Sequence, residues 1–210
     1  MAIHLGDESL LYQKLRARSF DEAGLAMIPG ICAIRRSDPI AADALLAEAV
    51  SLARTRGLRL AGVVQRDEQR AGRRRCDMDL IDLSSGRIIR ISEDRGNEAR
   101  GCRMDASALT EAAALVEETI RTGAPDLVIL NKFAKAEEEG GGMRDAIAVA
   151  ISRDIPVLIG VGLLAVPALE AFAGEFCTII EPDRAAMRAW LDAHSRGRAS
   201  ERLEILSIGG

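Results

Sequence analysis

The sequence is poor in aromatic residues and has no long hydrophobic run. Phe, Trp and Tyr make up 3% of its 210 residues, although 48% are hydrophobic, so the core must consist of aliphatic side chains. No apolar run approaches the ~18 residues that a membrane-spanning helix requires. Charges interrupt residues 5–18, where a signal peptide would need an apolar centre. We therefore expect a cytoplasmic protein without a membrane span.

The sequence also lacks a strong charge bias and paired cysteines. Its 28 Lys and Arg residues face 32 Asp and Glu residues, and no extended basic tract with interleaved aromatics argues for a nucleic-acid partner. The arginines at positions 70 and 73–75 form a local patch that a solvated hairpin end would also explain. The four cysteines lack the C-x-x-C spacing of a structural zinc site, and we expect them to be reduced thiols.

Short apolar strands alternate with amphipathic helices from residue 30 to residue 194. This alternation predicts an α/β fold, with a parallel sheet between two layers of helices. Residues 76–91 alternate polar and apolar side chains instead, which predicts a β-hairpin inserted in the sheet or at its edge. Residues 1–29 are predicted to form a helical arm, and residues 195–210 a tail or a late edge strand.

The most informative stretch is 126–144. Leu127–Leu130 is typical of a buried strand, and ligands of open α/β sheets collect beyond the carboxyl ends of such strands. We predict that Lys132, Lys135 and Arg144 contact a small anionic ligand and that Asn131 positions it. The alternative is a surface network in which residues 137–139, all glutamates, pair with these cations.

The turn after the first predicted strand is a second candidate for binding an anion. A phosphate-binding P-loop needs glycines, a lysine and a Ser or Thr, whereas residues 35–43 contain neither glycine nor lysine. Asp38 would repel a phosphate there. Arg35 and Arg36 lie beside a predicted helix N-terminus and could still attract an anion, although a plain turn with a capped helix explains them equally.

A metal site is the third possibility. Cys76 and Cys102 flank the predicted hairpin beside Asp77 and Asp79, and thiolates favour soft metals. Asp77, Asp79 and Asp82 are expected near one face of a strand, where they could hold a hard cation. The alternatives are two small packing residues and an ordinary exposed sheet face.

Several phrases of the sequence carry a resemblance to a known family. They are Val64-Gln65-Arg66, residues 75–80, Gly86, Ile91-Ser92, residues 100–103, Asn131-Lys132-Phe133, Lys135, Glu137, Gly140, Gly142, Arg144 and Asp145. The segment from Leu60 to Val161 resembles an uncharacterised bacterial family that is often encoded near molybdenum transporter genes. That family is in turn similar to small P-loop nucleoside-triphosphatases.

This resemblance implies a P-loop-NTPase-like fold and makes molybdate, a related oxyanion or a nucleotide the expected ligand. Nucleoside-triphosphatases of this kind carry a Walker A loop and acidic residues after a central strand, where this chain has Asn131 and Lys132. We therefore predict a degenerate relative in molybdenum metabolism that binds an anion without efficient hydrolysis. Two alternatives stay open: a non-canonical NTPase enzyme, and a regulatory or scaffold homo-oligomer without a small-molecule ligand.

Overall fold

A seven-stranded sheet organises the part of the chain that the computed structural model describes, residues 30–68, 77–92 and 104–194. The strands are β1 (Ile31–Arg35), β2 (Leu60–Glu68), β3 (Asp77–Asp82), β4 (Ile88–Arg90), β5 (Leu127–Phe133), β6 (Val157–Val161) and β7 (Cys177–Ile180). Their order is β4-β3-β2-β5-β6-β1-β7. β1, β2, β5, β6 and β7 run parallel, whereas β3 and β4 add an antiparallel edge.

Helices cover both faces of this sheet. They are α1 (Pro39–Thr55), α2 (Ala106–Gly123), α3 (Lys135–Glu138), α4 (Arg144–Ser152), α5 (Val166–Ala173) and α6 (residues 184–194). Leu46 of α1 and Trp190 of α6 pack in the core on one face, and Val116, Ile147 and Leu169 of α2, α4 and α5 pack on the other. The predicted three-layer α/β/α architecture is confirmed.

An aspartate caps the start of two of the helices. Oδ1 of Asp38 accepts hydrogen bonds from the amides of Ile40 and Ala41 at 3.0 and 3.1 Å. Asp105 caps α2 in the same way. Each carboxylate satisfies amide groups that would otherwise have no partner inside the helix.

β5 is the central strand of the seven-stranded sheet, and a glycine on each neighbouring strand leaves no room for a side chain beside its backbone. A Cβ at Gly62 of β2 would lie 2.1 Å from the carbonyl oxygen of Ile129, and one at Gly160 of β6 would lie 2.3 Å from that of Asn131. The register between β5 and β6 shifts after Leu130, because β5 contains one more residue than β6 there. This bulge falls on Asn131 and Lys132 and was not predicted from the sequence.

The hairpin prediction is confirmed in kind and wrong in one detail. β3 pairs antiparallel with both β2 and β4, so these three strands form a meander at the sheet edge. Asp79 and Asp82 were expected near one face, but side chains alternate along a strand and these two residues point to opposite faces. Both are buried, at 1% and 0% exposure, so the exposed acidic row does not exist.

Some predictions fall on parts of the chain that are not described. The helical arm (residues 1–29), the tail (residues 195–210), Cys76 and Cys102 lie outside the described residues. Within the described ranges, none of the helices combines the length and the apolar character needed to cross a membrane.

Cys32 and Cys177 are free thiols on the neighbouring strands β1 and β7. Burial, with a smaller contribution from the nearby Cys177, raises the pKa of Cys32 to about 12. Burial is also the main reason that the pKa of Cys177 rises to about 12. Both thiols therefore stay protonated in the folded protein at neutral pH, which fits the packing role expected for them.

We predict that Cys32 resists alkylation by iodoacetamide in the folded protein at about pH 8, because only the thiolate is nucleophilic and an ordinary cysteine has a pKa of about 8.5. The same residue should be labelled rapidly in guanidinium chloride. Peptide mapping by mass spectrometry measures this directly. Equal labelling of Cys32 in the folded and unfolded protein would contradict the burial of β1.

Candidate functional site

The carboxyl edge of the parallel strands contains a topological switch point. β1 leads into α1 on one face of the sheet, whereas the adjacent β6 leads through residues 162–165 into α5 on the other face. The amide of Arg36 donates to the carbonyl oxygen of Val161 at 2.9 Å and holds the two strand ends together. In open α/β sheets, the crevice at such a point is the usual ligand site.

Gly160 lies in the wall of this crevice, between Arg36 and Asn131. The Cδ atom of Arg36 lies 3.4 Å from the position that a Cβ of Gly160 would occupy, on the same side as the carbonyl oxygen of Asn131. Asn131 is 8% exposed, and its Nδ2 donates to Oε1 of Gln65 at 3.2 Å. Asn131 therefore contacts Gln65 of β2 through its side chain, while its carbonyl oxygen faces Gly160 and Arg36 on the other side of β5.

Lys132 differs from the other cations of the described chain. Its side chain is exposed at the end of β5, next to the buried Asn131. Among the lysines and arginines in the described ranges, Lys132 alone forms no ion pair, hydrogen bond or cation–π contact. Its positive charge at this edge is therefore not compensated by the described protein.

The two arginines of the β1 turn are compensated. Arg36 pairs with Asp43, one helical turn into α1, and Nε of Arg35 lies 3.4 Å from Oε1 of Glu181 after β7. Glu181 also accepts a hydrogen bond from Oγ of Ser37 at 2.8 Å. The Asp38 carboxylate also occupies the first free amides of α1. This turn therefore has fewer free hydrogen-bond donors and less free positive charge for an anion than the sequence had suggested.

The loop after β5 is held by a buried carboxylate. Glu137 is 4% exposed, and its two oxygens accept hydrogen bonds from the amides of Ala134 at 2.9 Å and Met143 at 3.0 Å. Gly142 adopts a positive φ of 59°, and a Cβ there would lie 2.1 Å from Oε1 of Glu137. Glu137 therefore fixes the loop and does not form the surface pair proposed as the alternative.

The other two predicted cations after β5 are engaged within the protein. Nζ of Lys135 lies 3.6 Å from Oε1 of Glu139, and both side chains are largely exposed. The guanidinium of Arg144 lies 4.6 Å from the ring centre of Phe172 and donates to the carbonyl oxygen of Glu137 at 3.5 Å. The anion-binding roles of Lys135 and Arg144 stay predictions, and Lys132 is the better placed cation.

The described residues do not support a metal centre at the hairpin. Asp79 is buried between two arginines, with Nε of Arg90 at 3.0 Å and a guanidinium nitrogen of Arg66 at 4.0 Å. Within residues 30–68, 77–92 and 104–194, no three His, Cys, Asp or Glu side chains gather as metal ligands would. Metal binding by Cys76 and Cys102 is untested because both lie outside these ranges, and only the backbone of Asp77 is described.

Sequence reasoning missed the partners of the predicted residues. Gln65 was named only among the residues that carry the family resemblance, and the pairing of Asp43 with Arg36 and the role of Glu181 were not predicted. Arg36 precedes α1 and Asp43 lies in its first turns, so their spacing in the sequence is a weak signal. Glu137 lies three residues after Ala134, where a glutamate often accepts the amide at a helix start, so its role was open to prediction.

Comparison with known proteins identifies the family. The model of the family described as "Protein of unknown function (DUF2478)" matches residues 31–190, and the chain belongs to this family. Over 149 residues the chain is 38% identical to the "Molybdenum import ATP-binding protein ModC 2" of Bradyrhizobium diazoefficiens, and this match covers 70% of the chain but 16% of that relative. No solved structure matches the chain. The mostly parallel seven-stranded sheet with helices on both faces is consistent with a P-loop-NTPase-like fold.

We predict that Gly160→Ala destabilises the protein by about 2 kcal/mol or more, because the new methyl group would collide with a backbone carbonyl that cannot move freely. Gly162→Ala is the matched control. A Cβ at Gly162 would meet its nearest atom, the carbonyl oxygen of Phe133, at 3.8 Å, and φ there is −64°. Urea denaturation measures both changes. Equal stability of the two variants would contradict the close approach of β6 to Asn131.

Proposed function

We propose that this member of the DUF2478 family is a P-loop-NTPase-like protein that binds a small anion at the carboxyl edge of its sheet and does not hydrolyse nucleotide efficiently. The observation that carries this proposal is the uncompensated charge of Lys132 beside the buried Asn131. An anion that reaches this edge gains a charge-assisted hydrogen bond without displacing a carboxylate from Lys132.

Asn131 and Arg36 complete the proposed binding surface. The side-chain amide of Asn131 is already oriented by Gln65, so it offers a fixed polar group next to Lys132. Arg36 crosses Gly160 towards Asn131 and pairs with Asp43 in the absence of a ligand. In this proposal, Lys132 supplies the charge, Asn131 orients the anion, and Arg36 is a secondary contact.

Efficient phosphoryl transfer needs groups that the corresponding positions of this chain do not provide. The β1 turn reads Arg35-Arg36-Ser37-Asp38, and the Asp38 carboxylate occupies the amides of Ile40 and Ala41. Asn131 and Lys132 follow the buried part of β5, where an acidic residue would be needed to hold magnesium. A neutral amide and an ammonium cannot neutralise the charge that develops on a transferred phosphoryl group through a bound metal ion.

The relative narrows the choice of anion. Its name describes molybdenum import and ATP binding, so molybdate, tungstate and ATP are the first ligands to test. The matched segment makes up 16% of that protein, which means that its ATP-binding activity need not reside in the matched segment. We therefore place molybdate and related oxyanions ahead of a nucleotide.

We predict that molybdate or tungstate raises the melting temperature of the protein and that Lys132→Ala removes most of this effect. A ligand at 100 times its dissociation constant adds about 2.7 kcal/mol to the free energy of unfolding. Loss of a charge-assisted hydrogen bond should weaken binding about tenfold or more. Thermal shift measurements with molybdate, tungstate, phosphate, ATP and GTP give the comparison.

Arg121→Ala is the control for this prediction. Arg121 pairs with Glu117 in the last turn of α2, at the opposite edge of the sheet, so the variant loses one positive charge without altering the proposed site. An unchanged response to the oxyanions in Lys132→Ala would contradict the proposal. Magnesium-dependent phosphate release from ATP by the wild-type protein would instead favour a non-canonical NTPase.

A second function, that of a homo-oligomeric scaffold or regulator, is favoured by a different observation. Ile40, Leu163 and Leu164 are 83%, 54% and 94% exposed, and all three follow the carboxyl ends of the adjacent strands β1 and β6. Exposed apolar side chains that gather on one surface often mark an interface. The matched segment makes up 16% of the relative, so the corresponding region of that protein belongs to a much longer chain.

We predict that, if the protein self-associates through this edge, Leu164→Glu shifts it to the monomer, because burial of a carboxylate at an interface is unfavourable. Ile88→Glu is the control, since Ile88 is 51% exposed on the outer strand β4. Size-exclusion chromatography with light scattering, on the full chain and on a version without residues 1–29, measures the mass. A dimer that survives Leu164→Glu would exclude this surface.

A further inference from the structure

A cleft of about 360 Å³ opens at the amino edge of the sheet, at the opposite end of the parallel strands from Lys132. It lies between the end of α1, the start of β2, the end of β3 and the segment that joins α2 to β5. Small-molecule sites in proteins measure about 300–1,000 Å³, so the cleft can hold a ligand of one or two rings. No part of the proposed anion site contributes to it.

Part of the floor of the cleft is apolar, and polar groups, Ser84 among them, line the rest. Leu83 and Pro125 are buried, and Leu58 is half-buried beside them. Thr119 lines one side, but its hydroxyl donates to the carbonyl oxygen of Leu115 and is not directed to a ligand. These surfaces favour the apolar body of a ligand over a fully polar molecule such as inorganic phosphate.

Two arginines border the cleft, and their roles differ. Arg59 forms two contacts to the carboxylate of Asp126, from Nε at 3.3 Å and from a terminal nitrogen at 3.2 Å. The hydrogen bond to Asp126 raises the pKa of Arg59, and the pair forms a rigid and internally neutral wall.

Arg54 is the cation that this cleft can offer to a ligand. Its guanidinium is exposed and donates to the carbonyl oxygen of Leu83 at 3.3 Å, but it pairs with no carboxylate among the described residues. Asp82 is buried one residue before Leu83, and burial alone would raise its pKa. Hydrogen bonds from Ser84 and Ser85 outweigh that effect and lower the pKa. The Asp82 carboxylate accepts hydrogen bonds from the Ser84 and Ser85 hydroxyls and the Ser85 amide. The guanidinium N–H groups of Arg54 that do not bond to Leu83 can therefore bind a ligand.

We infer that the amino-edge cleft binds a small amphipathic anion, with its carboxylate or sulfonate on Arg54 and its apolar body over Leu58, Leu83 and Pro125. The arrangement combines one charge contact with an apolar floor, which is the common composition of small-molecule sites. This site is independent of the proposed function, because it involves neither Lys132 nor the carboxyl edge of the sheet.

The test uses 1-anilinonaphthalene-8-sulfonate, a fluorescent naphthalene that carries one sulfonate, titrated into the full-length protein. We expect saturable binding of one molecule per chain, and Arg54→Gln should raise the dissociation constant about tenfold, because a charged hydrogen bond is lost. Arg56→Gln is the matched control. Arg56 lies two residues further along, pairs with Asp192 and does not line the cleft, so this variant should bind within about twofold of wild type.

Three further measurements separate this site from other causes of fluorescence. Octanoate should displace the dye, whereas sodium sulfate at equal ionic strength should not, since it has no apolar body. Thr119→Phe, checked for an unchanged melting temperature, should abolish binding by filling the cleft. Lys132→Ala should bind the dye as wild type does, even if it loses its response to molybdate. Unsaturable binding, or equal dissociation constants for Arg54→Gln and wild type, would overturn the inference.

Discussion

The structure depends on how closely two strands approach the backbone of β5. Gly62 on one side and Gly160 on the other both lie where any side chain would collide with a carbonyl oxygen of β5, two residues apart along that strand. The extra residue of β5 falls at the carboxyl end of the strand, directly after the regular pair of Leu130 with Ile159. The bulge carries Asn131 and Lys132 to the edge, so the position of the candidate site follows from backbone packing.

Two of the cations at this edge, Arg36 and Lys135, already pair with carboxylates of the protein. These pairs limit the binding free energy that an anion can gain from them. An anion that binds Arg36 must compete with Asp43, and one that binds Lys135 must compete with Glu139. Pairs of this kind contribute about 0–1 kcal/mol when exposed, so they can be exchanged, but the exchange yields little net affinity. Lys132 has no such competitor in the described chain. In the proposed site, Lys132 is therefore the residue expected to contribute most to the binding free energy of an anion.

The sequence was sufficient for the parts of the fold that follow from local pattern. The apolar run of β5, the Asp38 and Asp105 caps and the end of α2 at Gly123 are each specified by neighbouring residues. The bulge, the burial of Asp79 between two arginines and the pairing of Arg35 with Glu181 depend on residues far apart in the chain. Local propensity has no information on such contacts. The error for Asp82 has a different origin, because residues three apart on one strand face opposite sides whatever the register.

The burial of Glu137 decides between two interpretations of this residue, a surface ion pair and a structural contact inside the loop. Three consecutive glutamates beside two lysines suggested surface ion pairs, yet the structure assigns them different roles: Glu139 pairs with Lys135, and Glu137 accepts two backbone amides inside the loop. A carboxylate at 4% exposure must have such partners, because an unpaired buried charge is costly. Glu137 thereby fixes the path of the chain from β5 to α4. The loop that follows Lys132 is therefore held in place by a buried carboxylate.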